Sequence, residues 1–259
     1  MSIKAKKSLG QNFLKDLSII DQIINHANIE DRDVVEVGPG QGALTTKLAS
    51  KAKSLTAYEI DKDMINILNV KINNPNFVLI HKDFLLCSLE EVKENSVLVA
   101  NIPYYITSDI LFKVFINRNK FSKAIIMMQK EVADRIIAKA NTSNYSKLSV
   151  TSQYFANVKK LFDVSPQCFE PAPKVFSSVV LFEFNKKQEM DDKDFLEFVK
   201  LCFAQRRKTL INNLLNKYNK EQIWLIFEKM NFKSNVRAQE LSLNQFIKLY
   251  QEIKNEFFN

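Results

Sequence analysis

The sequence predicts an α/β fold, in which a mostly parallel sheet of seven strands is followed by a small all-α domain. Between about residues 18 and 140, short β-branched runs alternate with amphipathic segments, which is the pattern of βαβ units. Three of the four glycines come directly after the first of these runs. After Asn185 the apolar residues repeat only at helical spacing. We therefore predict one domain at residues 1–186 and a second at 187–259.

Seven short runs supply the strands of the predicted sheet. Five of them account for its parallel part: Asp33–Val37, Ser54–Glu59, Phe77–Ile80, Ser96–Ala100 and Ala124–Met128. Two more, Asn157–Val164 and Ser178–Phe184, flank the proline-rich loop Pro166–Lys174, which cannot be helix or central strand throughout. We expect these last two runs to close the sheet as a hairpin-like pair.

Helical spacing is present between the strands and throughout the tail. The segment Ser18–Ala27 is predicted to be a helix whose core-facing side consists of Ile20, Ile23, Ile24 and Ala27. The polar segment Lys186–Asp192 indicates a linker. Beyond it, apolar residues recur at helical spacing in three sets: Phe195, Phe198, Val199 and Cys202; Leu210, Leu214 and Leu215; Ile223, Ile226 and Phe227. A tail of three to five helices follows.

The composition is that of a globular protein with a positive charge. Hydrophobic residues make up 46% of the chain and charged residues 25%, which excludes a disordered or fibrous class. The net charge of +8 favours a polyanionic partner, because Lys and Arg facing phosphates release condensed counterions. Biased codon usage explains a Lys- and Asn-rich chain equally well. Charge alone therefore does not select the partner.

The cysteines and the apolar runs bear on the compartment. Cys87, Cys168 and Cys202 are odd in number and lack the spacing of a metal site, so we expect a reducing compartment and no metal. The Lys-rich start lacks the apolar core of a secretory signal, and no apolar run approaches the ~18 residues of a membrane span. We expect a cytoplasmic protein with no membrane partner.

A glycine-rich turn after the first strand predicts a nucleoside cofactor. Gly38, Gly40 and Gly42 lie between a strand and a helix, where missing side chains let a ligand approach the backbone and the helix N-terminus. About twenty residues further on, Glu59 ends the second strand, where a carboxylate can accept hydrogen bonds from both ribose hydroxyls. This spacing also fits NAD, and a tight strand-to-helix turn without a ligand remains the structural alternative.

The segment Asn101–Tyr104 indicates chemistry on an exocyclic amine. It follows the fourth strand, at the edge of the sheet where ligands bind. The lone pair of an adenine amine is delocalised into the ring, so a catalyst must hold the amine between acceptors. The Asn101 side-chain oxygen and the Ile102 carbonyl suit this task, and Tyr104 can stack on a flipped-out base. No base catalyst is then required, which agrees with a chain that has two histidines.

Several blocks together resemble the ribosomal RNA adenine dimethyltransferases over nearly the whole chain. They are Leu9–Leu14, Glu36–Gly40, Ala43–Thr45, Tyr58–Asp61, Asp83–Phe84, Asn101–Thr107, Met128–Arg135 and Phe169–Val175. The resemblance implies a Rossmann-like class I methyltransferase domain that uses S-adenosylmethionine. The residues it implies for the cofactor are Asn12, Leu14, Gly38, Gly40, Glu59, Asp83 and Asn101. Those it implies for the target base are Asn101, Pro103, Tyr104 and Phe169, with Phe169 stacking on the face opposite Tyr104.

The tail is similar to one of the two branches of this family. Phe203–Leu210, Asn213–Leu214 and Arg237–Ser242 resemble the C-terminal domain of the KsgA/RsmA-type enzymes, which act on the small ribosomal subunit. The resemblance implies methylation of two adjacent adenosines near the 3′ end of 16S rRNA. Ile102 and Phe176 depart from that branch, which usually has Leu and Asp there. Ile at the first position is commoner in the Erm-type branch, which methylates 23S rRNA, so that branch is the alternative.

A basic cluster in the tail is predicted to contact RNA. In isolation Arg206, Arg207 and Lys208 indicate a solvated surface or ion pairs with Glu197 or Glu240. Their place within the C-terminal block favours an RNA surface, together with further lysines at Lys4, Lys6, Lys7, Lys159 and Lys160. We expect a monomeric enzyme. The alternatives are a factor whose main role is to occupy the maturing small subunit and, from the glycine turn alone, an NAD-dependent oxidoreductase.

Overall fold

The computed structural model describes residues 5–6, 9–185 and 190–258. The described residues of Met1–Ala133 and Ala156–Lys186 form one compact unit, and those of Asp134–Phe155 and Lys187–Asn259 form a second. The sequence predicted a single break at 186/187, which lies outside the described residues together with most of the predicted linker. The units instead interleave along the chain, because residues 134–155 pack with the tail. Tyr154 hydrogen bonds to Asp192 at 3.0 Å, and its ring centroid lies 4.4 Å from that of Phe195.

The strands of the described residues lie in the first unit. They are β1 (Phe13–Leu14), β2 (Asp33–Val37), β3 (Ser54–Glu59), β4 (Phe77–His81), β5 (Ser96–Asn101), β6 (Phe121–Gln129), β7 (Ala156–Val164), β8 (Phe169–Glu170) and β9 (Ser177–Phe184). The helices of this unit are α1 (Leu17–Ala27), α2 (Ala43–Lys51), α3 (Lys62–Lys71) and α4 (Thr107–Ile116). The next helix, α5 (Lys130–Ile136), extends from the first unit into the second.

Seven strands form one sheet in the order β4-β3-β2-β5-β6-β9-β7. The strands β2 to β6 are parallel to one another, whereas β9 runs antiparallel to both β6 and β7. The predicted sheet is therefore confirmed, including the closing pair β7 and β9. A second sheet of two strands, β1 with β8, was not predicted, because two-residue strands carry no readable periodicity.

The core of the first unit includes apolar residues of the central strands and the inner side of α1. Val97, Leu98 and Val99 of β5 are 0% exposed, as expected for a central parallel strand covered on both faces. The predicted inner side of α1 is buried throughout: Ile20, Ile23, Ile24 and Ala27. Because β2 and β5 are parallel and in register at Val37 and Ala100, the residues that follow them meet at one edge of the sheet.

The second unit is helical, as the tail predicted. Its helices are α6 (Lys147–Phe155), α7 (Asp192–Cys202), α8 (Leu210–Leu214), α9 (Lys220–Lys229) and α10 (Leu243–Phe258). The predicted periodic residues are buried except Leu215, which follows α8 and is 36% exposed. Within the described ranges, no helix is both long and apolar enough to cross a membrane.

Candidate active site

A cavity of about 260 Å³ lies at the carboxyl ends of β2, β3 and β5. Its walls come from stretches of the first unit that are far apart in sequence, which is the usual ligand position in an open α/β sheet. The predicted site residues that line it are Asn12, Leu14, Gly38, Gly40, Glu59, Asp83, Asn101, Pro103 and Tyr104. The fold therefore brings every predicted cofactor residue to one place.

The glycine turn between β2 and α2 requires glycine for two reasons. Gly38, Gly40 and Gly42 have φ values of +69°, +55° and +79°, in the left-handed region. A Cβ at Gly40 would lie 3.1 Å from the ring of Phe13, and one at Gly42 would lie 2.9 Å from Leu68 Cδ2. The left-handed backbone thus favours glycine at all three positions, and at Gly40 and Gly42 a larger residue would also have to displace a neighbouring side chain. That a cofactor approaches the backbone at these glycines stays a prediction.

Glu59 ends β3 with its carboxylate held by three backbone donors. Oε2 accepts from the N–H of Gly40 at 3.0 Å, and Oε1 accepts from Ile60 at 2.9 Å and Asp61 at 2.8 Å. Burial raises the pKa of Glu59, and these donors oppose the rise. A carboxylate offers about four lone-pair sites, so Oε2 keeps capacity for one further donor. Oε2 can accept a hydrogen bond from one ribose hydroxyl. A second ribose hydroxyl would have to share a carboxylate oxygen of Glu59 with one of the backbone donors.

Asp83, Asn12 and Leu14 complete the predicted cofactor residues. Asp83 Oδ1 accepts from the N–H of Leu85 at 2.9 Å, which leaves Oδ2 as the acceptor for an amino group. The side chain of Asn12 donates to the Gly10 carbonyl at 3.2 Å and so stabilises the bend of its own segment. Leu14 is 4% exposed and anchors that segment in the core.

The segment Asn101–Tyr104 presents the groups expected to hold an amine. Asn101 Nδ2 donates to the backbone oxygen of Asn12 at 3.4 Å, so the side-chain oxygen Oδ1 is the acceptor that can face a substrate. Pro103 precedes a short 3₁₀ turn that begins with Tyr104. The Tyr104 hydroxyl hydrogen bonds to Ser177 Oγ at 2.7 Å. Burial raises the pKa of Tyr104, and the hydrogen bond opposes that rise, so the phenol is neutral at physiological pH.

Phe169 is placed differently from the other predicted residues. It lies in β8 opposite Leu14 of β1, and it is 1% exposed within the apolar core. Among the residues that the structure describes, those lining the cavity do not include Phe169. Three of the four residues predicted for the target base thus line the cavity, and the fourth lies in the core on a strand paired with β1.

The structure adds Glu36 to the site, a residue of the block Glu36–Gly40 for which no role was predicted. Glu36 lies in β2, lines the cavity and is 1% exposed, and its Oε2 atom has no hydrogen-bond partner among the described residues. Burial raises its pKa to about 8, with a further rise from the charge of Glu59. A carboxylate enclosed by Val34, Val35 and Val37 in the interior of a predicted strand was the signal that could have found it.

The segment Leu9–Leu14, which we call the N-terminal strap, is tied to the start of α3 by Gln11 and by Lys6, whose backbone N–H donates to Gln11 Oε1 at 2.8 Å. Lys6 Nζ lies 2.6 Å from Asp61 Oδ1 and 2.7 Å from Asp63 Oδ2, and Gln11 Nε2 donates to Asp61 Oδ2 at 2.7 Å. The sequence predicted that Lys6 lies on an RNA-binding surface. In the structure its ammonium group instead forms ion pairs with two carboxylates. Lys4 and Lys7 of that prediction lie outside the described residues.

The basic cluster Arg206, Arg207 and Lys208 lies in an exposed turn of the second unit, between α7 and α8. The Arg206 guanidinium donates to the carbonyl oxygen of Ser143. The ion pairs considered for this cluster are not formed in the described chain, since Glu197 pairs with Lys200 at 3.2 Å. The carboxylate of Glu240 accepts from the backbone of Arg237.

A buried amide shapes this turn. Asn213 is 1% exposed, and its Oδ1 accepts from the N–H of Gln205 at 3.1 Å. Its Nδ2 donates to the carbonyl of Cys202 at 2.8 Å. These bonds fix the backbone on the N-terminal side of the cluster, so the three cations extend from an ordered loop.

The two histidines lie outside the cavity. His26 is exposed at the end of α1, with its ring 5.8 Å from that of Phe162. His81 is exposed at the end of β4, with Nε2 at 3.3 Å from the Ile60 carbonyl oxygen. In the described part of the chain, no three His, Cys, Asp or Glu side chains are grouped to hold a metal ion.

Comparison with known proteins identifies relatives along the whole chain. The family model described as ribosomal RNA adenine dimethylase matches residues 2–255. A protein of Mycoplasma mobile named ribosomal RNA small subunit methyltransferase A is 52% identical over 98% of this chain and 100% of its own. A protein of the same name from Mesomycoplasma hyopneumoniae is 48% identical over 98% of each.

Solved structures give the same answer for the fold. A dimethyladenosine transferase from Plasmodium falciparum superposes with a TM-score of 0.83, at 29% identity, over 94% of this chain and 98% of the other. The 23S rRNA methyltransferase ErmE superposes with a TM-score of 0.73, at 25% identity, over 94% and 100%. The sheet order, the cavity and these matches agree, and the chain belongs to the ribosomal RNA adenine dimethylase family of S-adenosylmethionine-dependent methyltransferases.

Proposed function

We propose that this enzyme dimethylates the exocyclic amines of two adjacent adenosines near the 3′ end of 16S rRNA. The observation that carries the proposal is the segment Asn101–Tyr104, placed at the end of β5 in the wall of the cavity. The small ribosomal subunit is favoured over the large one because the relatives at 52% and 48% identity are named for the small subunit. The ErmE match is lower, at 25% identity.

The cavity suits S-adenosylmethionine, which supplies an electrophilic methyl group when bound. Glu59 Oε2 retains capacity for a ribose hydroxyl, and Asp83 Oδ2 is available to an adenine amine. The glycine turn lines the same cavity with Gly38 and Gly40, whose missing side chains suit a close approach of the ligand to the backbone. Glu36 Oε2, which has no partner among the described residues, lies in the same wall and adds an acceptor for the ammonium group of the ligand's methionine part.

The protein's own contribution to the reaction is to orient the amine. Asn101 Oδ1 and the Ile102 carbonyl accept its hydrogens, which draws the nitrogen lone pair away from the ring. Pro103 stiffens the turn, and the ring of Tyr104 stacks on the flipped-out base, a contact worth about 1–3 kcal/mol. The proton that leaves the methylated nitrogen is acidic enough to pass to water, so neither histidine is needed.

The RNA partner is proposed to contact a cluster of three cations and one further lysine. The exposed Arg206, Arg207 and Lys208 extend from an ordered turn of the second unit, and Lys159 is exposed on β7 of the first. Such cations position a nucleic acid through phosphate contacts without reading sequence. The enzyme is proposed to act as a monomer in the cytoplasm, where small subunits mature.

The test is a transfer assay that offers two substrates in separate reactions. The purified protein and labelled S-adenosylmethionine are incubated with unmethylated small subunits or with large-subunit RNA, and modified nucleosides are identified by mass spectrometry. We expect N6-dimethyladenosine at two adjacent positions in the small-subunit RNA alone. Label in the large-subunit RNA would reverse the assignment, and label in neither would reject the proposal.

A further inference from the structure

We propose that Ser177 is a positioning residue that holds the ring of Tyr104 ready to stack on the target base. This inference rests on the proposed function, because it assigns the partner of the stacking residue. Ser177 Oγ lies 2.7 Å from the Tyr104 hydroxyl, and Ser177 is 0% exposed. Among the described residues that line the cavity, Ser177 is not included, so its effect on a ligand must pass through Tyr104.

Ser177 is a rigid anchor because of its place in the sheet. It begins β9, which is hydrogen bonded on both sides, with Ser177 opposite Gln129 of β6 and Val164 of β7. The residue before it accepts a backbone hydrogen bond from Lys130 at 2.9 Å. A side chain on such a strand has little freedom to follow the movements of a neighbouring loop.

Tyr104 is by contrast on a short element that offers little support of its own. The 3₁₀ turn Tyr104–Ile106 has poorer hydrogen-bond geometry than an α-helix, and it follows a proline that supplies no N–H. Thr107 Oγ1 contacts the Tyr104 carbonyl at 3.1 Å, which holds the backbone but not the ring. The bond to Ser177 therefore fixes the remaining rotations of the side chain.

Holding the Tyr104 ring in place before the base arrives should affect kcat more than it affects RNA affinity. A tyrosine has two rotatable side-chain bonds, and their ordering costs free energy if it occurs when the base arrives. A ring held in place directs the stacked base toward Asn101 on the same segment. Loss of the anchor should mainly lower kcat, because a misplaced reactant loses rate even when it is still bound.

The chain offers a matched control in the next residue. Ser178 is also 0% exposed on β9, but its Oγ donates to Asp163 Oδ1 at 2.6 Å rather than to Tyr104. Ser177→Ala and Ser178→Ala remove the same atom from adjacent buried positions of one strand. Thermal unfolding of both variants establishes that each retains its fold.

The experiment combines kinetics with a readout that does not depend on activity. We expect Ser177→Ala to lower kcat on small subunits by about tenfold, with unchanged S-adenosylmethionine affinity, and Ser178→Ala to stay close to the wild type. Tyr104→Phe should show a similar loss, and adding Ser177→Ala to it should cost no more, since the two changes remove one interaction. Additive losses, or an equal loss in Ser178→Ala, would overturn the proposal.

The second readout is the phenol carbon of Tyr104 observed by NMR with labelled tyrosine. Ser177→Ala should move its resonance and raise the pKa of the phenol, because the hydrogen bond that opposes the rise is lost. Ser178→Ala should leave both unchanged, and an unmoved resonance in Ser177→Ala would reject the contact itself. If the wild type fails to methylate small subunits, the proposed function fails, and this readout still decides whether Ser177 anchors Tyr104.

Discussion

Two buried carboxyl groups on neighbouring strands share the wall of the cavity, and their surroundings differ. Glu59 accepts three backbone hydrogen bonds, whereas one oxygen of Glu36 has no partner in the described part of the chain. Burial raises the pKa of both, and that of Glu36 reaches about 8. Near neutral pH, Glu36 is therefore mostly protonated in the free enzyme.

This protonation makes stability depend on pH in a defined direction. Glu36 has an ordinary pKa of 4.5 when unfolded and one of about 8 when folded, so between these values the unfolded chain ionises first. The folded state then loses stability as pH rises. As pH rises through this window, the free energy of unfolding of Glu36→Gln should increase relative to that of the wild type by up to roughly 1.4 kcal/mol per pH unit.

Urea unfolding at a series of pH values between those limits, without cofactor, measures this difference. Glu90→Gln, on the exposed surface, serves as the control and should follow the wild type at every pH. A difference between Glu36→Gln and the wild type that does not change with pH would show that Glu36 is ionised in both states.

Asn101 is expected to be indispensable for transfer. Asn101→Ala removes the acceptor Oδ1 that faces the amine, and loss of one preorganised polar partner commonly costs about 100-fold or more in rate. Initial rates on small subunits measure the loss, and circular dichroism checks the fold. A variant with rates near the wild type would remove Asn101 from the reaction.

The sequence predicted the positions of residues at the ends of strands. It could not predict the positions of residues that depend on contacts between distant segments. Glu59 and Asn101 each end a parallel strand, so periodicity alone brings them to the same edge. Phe169 depends on the pairing of β8 with β1, which joins segments at opposite ends of the first unit's sequence. Ser177 lies at the start of β9, next to a run that the sequence predicted as a strand. Its contact with Tyr104 joins residues 73 positions apart and cannot be predicted from the local sequence.

At the level of elements, the N-terminal strap is a segment whose position depends on charge. Burial alone would raise the pKa of Asp61, but hydrogen bonds from Lys6 and Gln11 hold it below its ordinary value. Asp61 also caps α3 by accepting from the N–H of Asp63 and donates its own N–H to Glu59. One residue thus connects the strap and a helix start through its carboxylate, and the predicted ribose acceptor through its backbone N–H.

We expect Lys6→Gln to weaken cofactor binding, because the strap residues Asn12 and Leu14 line the cavity. In the wild type, affinity should fall between about 0.05 M and 0.5 M salt, since salt screens a partly exposed pair. In the variant, affinity should be lower by a few fold and nearly independent of salt. Lys93→Gln, which breaks a 2.7 Å pair with Asp33, is the matched control.

Calorimetry with the cofactor at both salt concentrations makes the comparison. Equal salt dependence in Lys6→Gln and the wild type would mean that the strap is held by apolar contacts such as Leu14 in the core. A loss of affinity in Lys93→Gln would point to a general effect of charge.

Long elements were predicted more accurately than short ones. The seven strands of the main sheet agree with their predicted runs to within a few residues, because alternating or continuous apolar runs persist over five or more positions. The helix α6 was not predicted and belongs to the second unit. Its buried residues include Ser149, Thr151 and Ser152, whose hydroxyls hide the apolar face from a pattern search.

At the scale of the whole molecule, charge provides the test of RNA contact. Changing Arg206, Arg207 and Lys208 together to Gln should lower affinity for small subunits and flatten the plot of log affinity against log salt. Each lost phosphate contact should reduce that slope by roughly 0.7–0.9. Cofactor affinity should not change, because every described residue that lines the cavity belongs to the first unit.

A triple variant of equal charge provides the control. Lys47, Lys51 and Lys93 pair with Asp21, Glu30 and Asp33, so their change to Gln removes three cations that are already neutralised. If both triple variants lose the same salt dependence, the net charge of +8 attracts RNA without a specific surface. An unaltered slope in the first variant would leave RNA binding to the rest of the chain.

The interleaving of the two units bears on how such enzymes can recombine. The chain leaves the first unit after Ala133, re-enters it at Ala156 and leaves again after Lys186. A gene fusion with one junction near residue 186 would separate Tyr154 from Asp192 and from the aromatic cluster around Phe195. Grafting a whole helical unit from a relative therefore needs three junctions.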